Sequence, residues 1–256
     1  DIMEREMRNV MERYEPKQAL AIAIDPDTGE ILGMVSKPDF DPNHYDEYDQ
    51  SIINRNLPIW MSYEPGSTFK SVTFASALEL NLFDMFKDTY YDRGYEIVSG
   101  ARIKSWKAGG HGLQTFLQVL ENSSNPGFVE ISRRMGTDRL YQYVKLFGFG
   151  EKTGIDLPGE SSGIMFERDA MGELESATVA FGQGLSVTPI QLVCAFSAIV
   201  NGGTLYTPHI VKSYQDPLTN DVLLEVGKQK KRQVISEETS KKMRYALESV
   251  VANGGG

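Results

Sequence analysis

The chain has little cysteine or histidine and no long basic or apolar run. One Cys in 256 residues excludes an internal disulfide framework and a cysteine-rich zinc site. The 26 Lys and Arg are outnumbered by 35 Asp and Glu without a basic stripe, so nucleic-acid binding is not expected. No apolar run approaches the roughly 18 residues of a membrane span. With 41% hydrophobic residues, the composition indicates an ordinary globular domain with a sizeable core.

The sequence begins within a helical pattern rather than at an initiator methionine. Asp1 directly precedes the first apolar residue of that pattern, and no signal peptide is recognisable. We therefore expect the chain to be a piece of a longer protein, whose upstream segment could carry a membrane anchor.

Apolar periodicity and turn residues predict an α+β domain in which helices pack on an antiparallel sheet. Antiparallel hairpins are predicted at 19–35 and 207–226, short extended pieces at 84–111, and loops at 38–50 and 148–163. Helices are predicted at 2–14, 67–80, 113–121, 126–135, 138–147, 189–201 and 236–252, the last ended by Asn253-Gly254.

Ser67 and Lys70 give the strongest chemical signal. Positions i and i+3 lie on one helix face, so the hydroxyl and the amine are neighbours. Lys70 is the only charged residue between Pro65 and Leu78, and apolar residues surround this helix, which predicts its burial. Burial lowers the pKa of a lysine, and a neutral amine activates a neighbouring serine without histidine. The simpler interpretation is a capping serine and a lysine that reaches the surface.

The segment Ser123-Ser124-Asn125 gives the second signal, in a predicted turn between two helices. There, Ser123 can pass on a proton and Asn125 can bind a substrate amide. The alternative is simple capping, with Asn125 as the N-cap before Pro126. Its position 56 residues after Ser67 favours a role in the same site.

Together, Ser67-x-x-Lys70 and Ser123-x-Asn125 resemble the first two motifs of the penicillin-recognising serine transpeptidases. Four longer segments are similar to class B penicillin-binding proteins, most of all the division- and sporulation-type enzymes of Gram-positive bacteria: 21–34, 63–70, 153–160 and 181–191. The resemblance covers nearly the whole chain. It implies the α+β fold shared by penicillin-binding proteins and serine β-lactamases, with residues 1–256 as one transpeptidase domain.

The third motif of that family, Lys-Thr/Ser-Gly on a strand beside the nucleophile, is not found in its expected place. Lys152-Thr153-Gly154 matches the letters, but it follows Asn125 by only 27 residues and lies in Gly- and Pro-rich sequence, which predicts a loop. In the family the motif follows a helix resembling 236–252. We therefore expect the domain to be incomplete at its C-terminal side, lacking the strands that carry this motif and one of two oxyanion-hole amides.

The resemblance implies a D,D-transpeptidase that cross-links peptidoglycan stem peptides through a serine acyl-enzyme. Ser67 would attack the D-Ala-D-Ala carbonyl, Lys70 would be its base, Ser123 would relay the proton to the leaving amine, and Asn125 would hold the substrate amide. β-Lactams would acylate Ser67. The implied partners are stem peptides, β-lactam antibiotics and, in the full protein, a membrane glycan polymerase. The implied location is extracytoplasmic and membrane-anchored, without cofactor or metal.

Two alternatives stay open at this point. A serine β-lactamase shares the first two motifs, although no E-x-x-L-N segment follows Asn125 to supply its deacylating carboxylate. A non-catalytic penicillin sensor or a structural subunit of a cell-wall complex is the other. Outside the motifs, the acidic loop 39–49 around His44 is a weak candidate cation site, and Cys194 is predicted to be buried and unreactive.

Overall fold

The computed structural model describes residues 1–252, which form helices and short antiparallel strands. The helices are α1 (Ile2–Tyr14), α2 (Gln50–Ile53), α3 (Leu57–Trp60), α4 (Lys70–Glu79), α5 (Phe116–Glu121), α6 (Asn125–Met135), α7 (Thr137–Leu146), α8 (Glu173–Val179), α9 (Pro189–Val200) and α10 (Glu237–Ala252). None of these helices within 1–252 is both long and apolar enough to cross a lipid bilayer.

The strands pair two by two. They are β1 (Ala19–Ile24), β2 (Ile31–Lys37), β3 (Thr89–Asp92), β4 (Tyr95–Val98), β5 (Ala101–Lys104), β6 (Gly112–Thr115), β7 (Thr204–Thr207), β8 (Ser213–Gln215), β9 (Val222–Glu225) and β10 (Gln229–Gln233). Over residues 1–252 the antiparallel pairs are β1–β2, β3–β6, β4–β5, β7–β10 and β8–β9. Helix α9 packs against both β1 and β7, so the predicted α+β class with helices on antiparallel strands is confirmed.

Helix α4 lies in the middle of the core. Nine of its ten residues are buried, and it packs against α6, α7, α9 and α10, as the apolar residues on all of its faces predict. The predicted helix 67–80 is wrong in one detail, because Gly66–Phe69 form a 3₁₀ turn and α geometry begins only at Lys70. The hydroxyl of Thr68 donates to the Pro65 carbonyl (2.6 Å), and the Phe69 ring packs on Phe149 with 5.0 Å between ring centres. These contacts hold the tight turn that carries Ser67.

Two predictions near the second motif are wrong. The predicted helix 113–121 begins only at Phe116, where Thr115 and Gln118 form a reciprocal capping box. The residues before it form β6. Leu113 in this strand is 68% exposed, so an apolar residue that faces solvent gave the false appearance of the first apolar position of a helix. The N-cap of α6 is Ser124 rather than Asn125, since the Ser124 hydroxyl accepts a hydrogen bond from the Gly127 amide.

The remaining differences concern segments farther along the chain. A hairpin forms around 216–220 as predicted, but Thr207 belongs to β7, which pairs with the unpredicted β10. Strand β10 has no apolar alternation to reveal it, because it is mostly exposed. Helix α8 was not predicted, and the predicted loop 38–50 contains a 3₁₀ turn at Pro42–Glu47. The predicted stop at Asn253-Gly254 lies outside the described residues.

A second segment, 182–187, fixes the chain just before Ser67. The Gly66 amide donates to the Gly182 carbonyl (3.0 Å), and Tyr63 and Val187 exchange two backbone hydrogen bonds. Gly182 has φ of +82°, and a Cβ atom placed on it would lie 2.1 Å from the carbonyl oxygen of Gly66. Only glycine therefore fits at this crossing.

Gly182→Ala should destabilise the fold by at least about 3 kcal/mol, because it adds a backbone clash to the strain of a left-handed alanine. Gly159→Ala is a matched control, since Gly159 has φ of +83° and nothing within 4 Å of a built Cβ. The control should lose only about 1–2 kcal/mol of stability, which is the cost of the left-handed conformation for alanine. Chemical denaturation of both variants measures the difference, and equal losses would contradict the proposed clash.

Candidate active site

The amine of Lys70 brings all four predicted site residues together. Its Nζ lies 3.3 Å from Ser67 Oγ, 2.8 Å from Ser123 Oγ and 2.7 Å from Asn125 Oδ1. Ser67 is one helical turn away, whereas Ser123 and Asn125 come from the turn between α5 and α6. Two segments more than 50 residues apart therefore meet around one nitrogen atom.

Solvent exposure of the site residues increases from the buried amine to the serine hydroxyl at the surface. Lys70 is only 2% exposed, Ser123 and Asn125 are half-buried, and Ser67 is exposed. A hydroxyl at the rim is accessible to a large substrate, while the amine below it is kept from water.

The oxygen atoms around the amine determine where its lone pair points. The backbone carbonyl of Ser123 (2.7 Å) and Oδ1 of Asn125 can only accept hydrogen bonds. A neutral amine has two N–H donors and one lone pair. When both donors serve these carbonyls, the lone pair is left for the hydroxyls of Ser67 and Ser123, which both carry a transferable proton. The geometry therefore suits an amine that accepts a proton from serine.

Burial lowers the pKa of Lys70 from 10.5 to about 7, because the ammonium form loses its hydration. Within residues 1–252, no carboxylate forms a hydrogen bond or an ion pair with the amine that would favour its charged form. The lowered pKa agrees with the prediction from the apolar helix. A substantial fraction of the protein thus has a neutral amine at neutral pH.

A buried carboxylate supports the turn that carries Ser123. Asp92 is fully buried and accepts hydrogen bonds from the Ser124 hydroxyl (2.9 Å) and the Gly94 amide (2.7 Å). Ser123 itself has φ of +49°, a left-handed conformation that non-glycine residues rarely adopt. The Asp92–Ser124 bond helps to hold this conformation. Asp92 was not predicted as a site residue, because it lies 32 residues before Ser124 and belongs to no motif.

The Lys152-Thr153-Gly154 segment lies in a loop, as predicted. The amides of Thr153 (2.6 Å) and Gly154 (3.1 Å) donate to the carboxylate of Glu160, so their donors are already used. The Lys152 side chain is exposed and, within residues 1–252, makes no hydrogen bond to Ser67. This loop instead supports the site through Phe149, which packs behind Phe69.

The other candidate residues do not form a second centre. Among residues 1–252, no group of three or more His, Cys, Asp or Glu side chains is arranged to hold a metal ion. In the acidic loop 39–49, His44 lies 3.8 Å from Glu47 at the surface. Cys194 is buried, and burial raises the pKa of its thiol to about 12, which agrees with the predicted unreactive thiol.

Comparisons with known proteins agree on one family. Residues 19–256 match the model of the penicillin binding protein transpeptidase domain. Stage V sporulation protein D of Bacillus subtilis (strain 168) is 57% identical over 255 residues, which are all of this chain and 40% of that protein. Peptidoglycan D,D-transpeptidase FtsI of Escherichia coli (strain K12) is 29% identical over 256 residues, covering 98% of this chain and 40% of the relative.

A solved structure has the same fold. Penicillin-binding protein 3 from Mycobacterium tuberculosis, complexed with aztreonam, superposes with a TM-score of 0.87 at 28% identity, over 96% of this chain and 55% of that chain. The present chain spans 40% of the length of the two curated relatives named above.

Asn125→Asp should raise the pKa of Lys70, because a carboxylate beside the amine favours the ammonium form. The expected rise is about 1–3 pH units above the present value. If Lys70 acts as the base for Ser67, the pH midpoint of serine acylation should rise by the same amount. The measurement is the rate of covalent labelling by a penicillin reporter between about pH 5.5 and 9.5. Asn125→Ala removes the acceptor without adding charge and should not raise the midpoint. An unchanged midpoint in Asn125→Asp would contradict this role of Lys70.

Proposed function

Because this chain belongs to the penicillin-binding protein transpeptidase domain family, we propose that it is the catalytic domain of a serine D,D-transpeptidase that cross-links peptidoglycan stem peptides. The observation that carries the proposal is the buried amine of Lys70 within reach of both hydroxyls, Ser67 and Ser123. The names of the relatives, a peptidoglycan D,D-transpeptidase and a stage V sporulation protein, support the same assignment.

In the proposed reaction, Ser67 Oγ attacks the carbonyl carbon of the D-Ala-D-Ala bond while its proton passes to the neutral Lys70 amine. The tetrahedral intermediate collapses, the C–N bond breaks, and the departing D-Ala amine takes a proton through Ser123. An amine of a second stem then attacks the acyl-enzyme, forms the cross-link and returns the proton to Ser67. A β-lactam follows the first half of this route, and its opened ring stays on Ser67.

Asn125 has a positioning role in this proposal. Its Oδ1 accepts from Lys70, and its Nδ2 makes no hydrogen bond within residues 1–252. The two N–H groups of Nδ2 are therefore available to a substrate carbonyl. The backbone N–H of Ser67, at the start of a helical turn, is suited to hold the developing oxyanion.

Hydrolysis of the acyl-enzyme, as in a serine β-lactamase, is less well supported. That reaction needs a carboxylate to activate water beside the acyl group. Among residues 1–252, no Asp or Glu contacts Ser67, Lys70 or Ser123 by a hydrogen bond. Glu64, the acid closest to Ser67 in sequence, accepts from the Gly184 amide (2.8 Å) instead. A long-lived acyl-enzyme is expected because no carboxylate of the described chain contacts Ser67, Lys70 or Ser123. The remaining alternative, a non-catalytic penicillin sensor, would also keep its acyl group.

The cellular setting of the proposal comes from the relatives. Since they are named as peptidoglycan transpeptidase and sporulation proteins, we place this domain outside the cytoplasm, membrane-anchored in its full protein and working beside a membrane glycan polymerase. The identity of 57% with the sporulation protein favours a sporulation-type role over a division-type role.

Ser67→Ala should abolish covalent labelling by a fluorescent penicillin, because Ser67 is the exposed serine at the Lys70 amine, whereas Ser123 is half-buried. Lys70→Ala should slow labelling by about 10²–10⁴-fold through loss of the base. Lys152→Ala is the matched control and should label within about 2-fold of the parent. Labelling that moves to another serine, or a Lys152→Ala loss as large as that of Lys70→Ala, would refute the assignment.

The fate of the label and of a stem peptide separates the three functions. A transpeptidase releases the label slowly and transfers a D-Ala-D-Ala peptide to an acceptor amine. A β-lactamase releases the label quickly by hydrolysis. A sensor keeps the label and transfers no peptide.

We further propose that strands including one with a Lys-Thr-Gly motif complete the cleft, and that one of these strands pairs with the open edge of β1. Within residues 1–252, β1 pairs only with β2, although its sequence is entirely apolar. Beside it lies an apolar groove of about 260 Å³ lined by residues of β1, α9 and Tyr63, which lies four residues before Ser67. An apolar strand edge of this kind is normally covered.

A chain extended beyond Gly256 through a Lys-Thr-Gly strand should acylate about 10²–10³-fold faster than residues 1–256, because a second oxyanion donor is worth that much. It should also melt at a higher temperature, since the β1 edge becomes paired. An extended chain with Ala-Ala-Ala in place of the motif is the control. It keeps the backbone amides of the strand and should gain the same stability, so any loss of rate in it measures the Lys and Thr side chains alone. Equal rates and equal melting temperatures for all three chains would show that residues 1–256 already form a complete cleft.

A further inference from the structure

The segment 89–115, which we call the basic lobe, has the opposite charge balance to the whole chain. It contains four Lys or Arg and two Asp or Glu, whereas the chain has 26 and 35. Both acids of the lobe are already engaged. Asp92 is buried under Ser124, and Glu96 accepts hydrogen bonds from Tyr90 (2.9 Å) and Arg133 (3.0 Å). The solvent-facing part of the lobe is therefore positive.

One face of the β4–β5 pair gathers these cations around an aromatic ring. The register places Tyr95 opposite Lys104 and Ile97 opposite Arg102, so the four side chains share a face. The guanidinium of Arg102 lies 3.8 Å from the centre of the Tyr95 ring. Arg102 and Lys104 are exposed, and neither forms an ion pair with a carboxylate of residues 1–252.

The basic lobe is tied directly to the site turn. The indole N–H of Trp106 donates to the carbonyl of Asn122 (2.8 Å), the residue before Ser123. Trp106 is nevertheless 72% exposed, with its ring edge-on to His111 at 5.3 Å between centres. Lys107, beside it, is also exposed and without an ion pair in the described chain. A fixed aromatic ring therefore lies beside the turn that carries Ser123, and an exposed lysine follows it in the sequence.

We propose that the basic lobe binds the carboxylates of a peptidoglycan stem peptide at positions remote from the D-Ala-D-Ala bond. Trp106, at the end of the lobe that contacts the Ser123 turn, packs against the peptide chain. This inference rests on the proposed transpeptidase function and adds a determinant of substrate choice. The guanidinium of Arg102 can meet a carboxylate with two parallel hydrogen bonds, and Lys104 and Lys107 act as point charges.

The lobe should discriminate between ligands by their charge and by their length. Exposed ion pairs are individually weak, so the affinity comes from several acting together and falls with added salt. A penicillin lacks the remote carboxylates of a stem peptide, so its acylation rate should not depend on the lobe. An anionic membrane surface would also be attracted by the cations, but the anchoring of Trp106 beside Ser123 favours the substrate.

The test measures peptide binding by calorimetry in a Ser67→Ala background, which prevents turnover. The lobe variant combines Arg102→Gln, Lys104→Gln and Lys107→Gln. The control variant removes three exposed lysines from other parts of the chain: Lys17→Gln, Lys152→Gln and Lys228→Gln. For a stem peptide with free carboxylates, the Kd should rise about 8-fold in the lobe variant, at about 2-fold for each of the three contacts, and less than about 2-fold in the control. The difference should vanish with an amidated peptide and shrink from about 0.05 to 0.5 M salt.

The two tryptophans of the chain provide an independent measurement. In Trp60→Phe, the peptide should change the emission of Trp106. In Trp106→Phe, the emission of Trp60 should not change.

Three results would overturn the inference: equal losses in the lobe and control variants, a loss that persists with the amidated peptide, or an unresponsive Trp106. Binding of the lobe to phosphatidylglycerol vesicles with unchanged peptide Kd would assign the surface to a membrane and also overturn it. Penicillin labelling of the parent protein, which keeps Ser67 and all of the substituted lysines and the arginine, tests the proposed function separately. Its failure there would count against the transpeptidase assignment rather than against the lobe.

Discussion

The burial of one amine is the constraint on which this structure depends. Lys70 can act as a base near neutral pH only if it is kept from water, so the helix that carries it must be covered on every side. That requirement accounts for the position of α4 at the centre of the core, with α6, α7, α9 and α10 around it. The hydrophobic core and the candidate site are therefore parts of one construction, since the packing that stabilises the fold also sets the protonation of Lys70.

The hydroxyl groups need a different kind of support, because they must stay near the solvent yet keep hydrogen-bond distance to the amine. Two sets of short contacts provide it. On one side, the Gly182 carbonyl accepts a hydrogen bond from the Gly66 amide, and the missing side chain of Gly182 allows a close backbone crossing before Ser67. On the other side, Asp92 holds Ser124 and with it the left-handed Ser123. Both contacts join segments that are far apart in sequence, so the geometry of the site depends on the whole fold rather than on either motif.

This distinction explains how much could be predicted from the sequence. Local periodicity, turn residues and caps predicted the helices at 2–14, 189–201 and 236–252, the first hairpin and the burial of Lys70. Each of these signals involves residues that are close together in the sequence. The meeting of Lys70 with Ser123 and Asn125 was anticipated from the 56-residue separation of Ser67 and Ser123 and from the family resemblance, because neither motif alone brings the two segments together. Asp92 and strand β10 gave no local signal. Asp92 acts through a partner 32 residues away, and β10 is an exposed, strongly basic strand without alternation.

Burial of the Lys70 amine also lowers the free energy of unfolding by an amount that depends on pH. A pKa lowered from 10.5 to about 7 in a side chain that is 2% exposed corresponds to about 5 kcal/mol. The unfolded chain binds the extra proton between these values, so stability rises with pH from about 7 to 10.5, and the cost is fully present at pH 7 and below. The large aromatic side chains around the helix, Phe69, Phe74 and Phe128, are each fully buried and contribute about 2–3 kcal/mol by that burial. A few such side chains are enough to offset the amine, which gives a physical reason for the large buried aromatic residues around a single functional lysine.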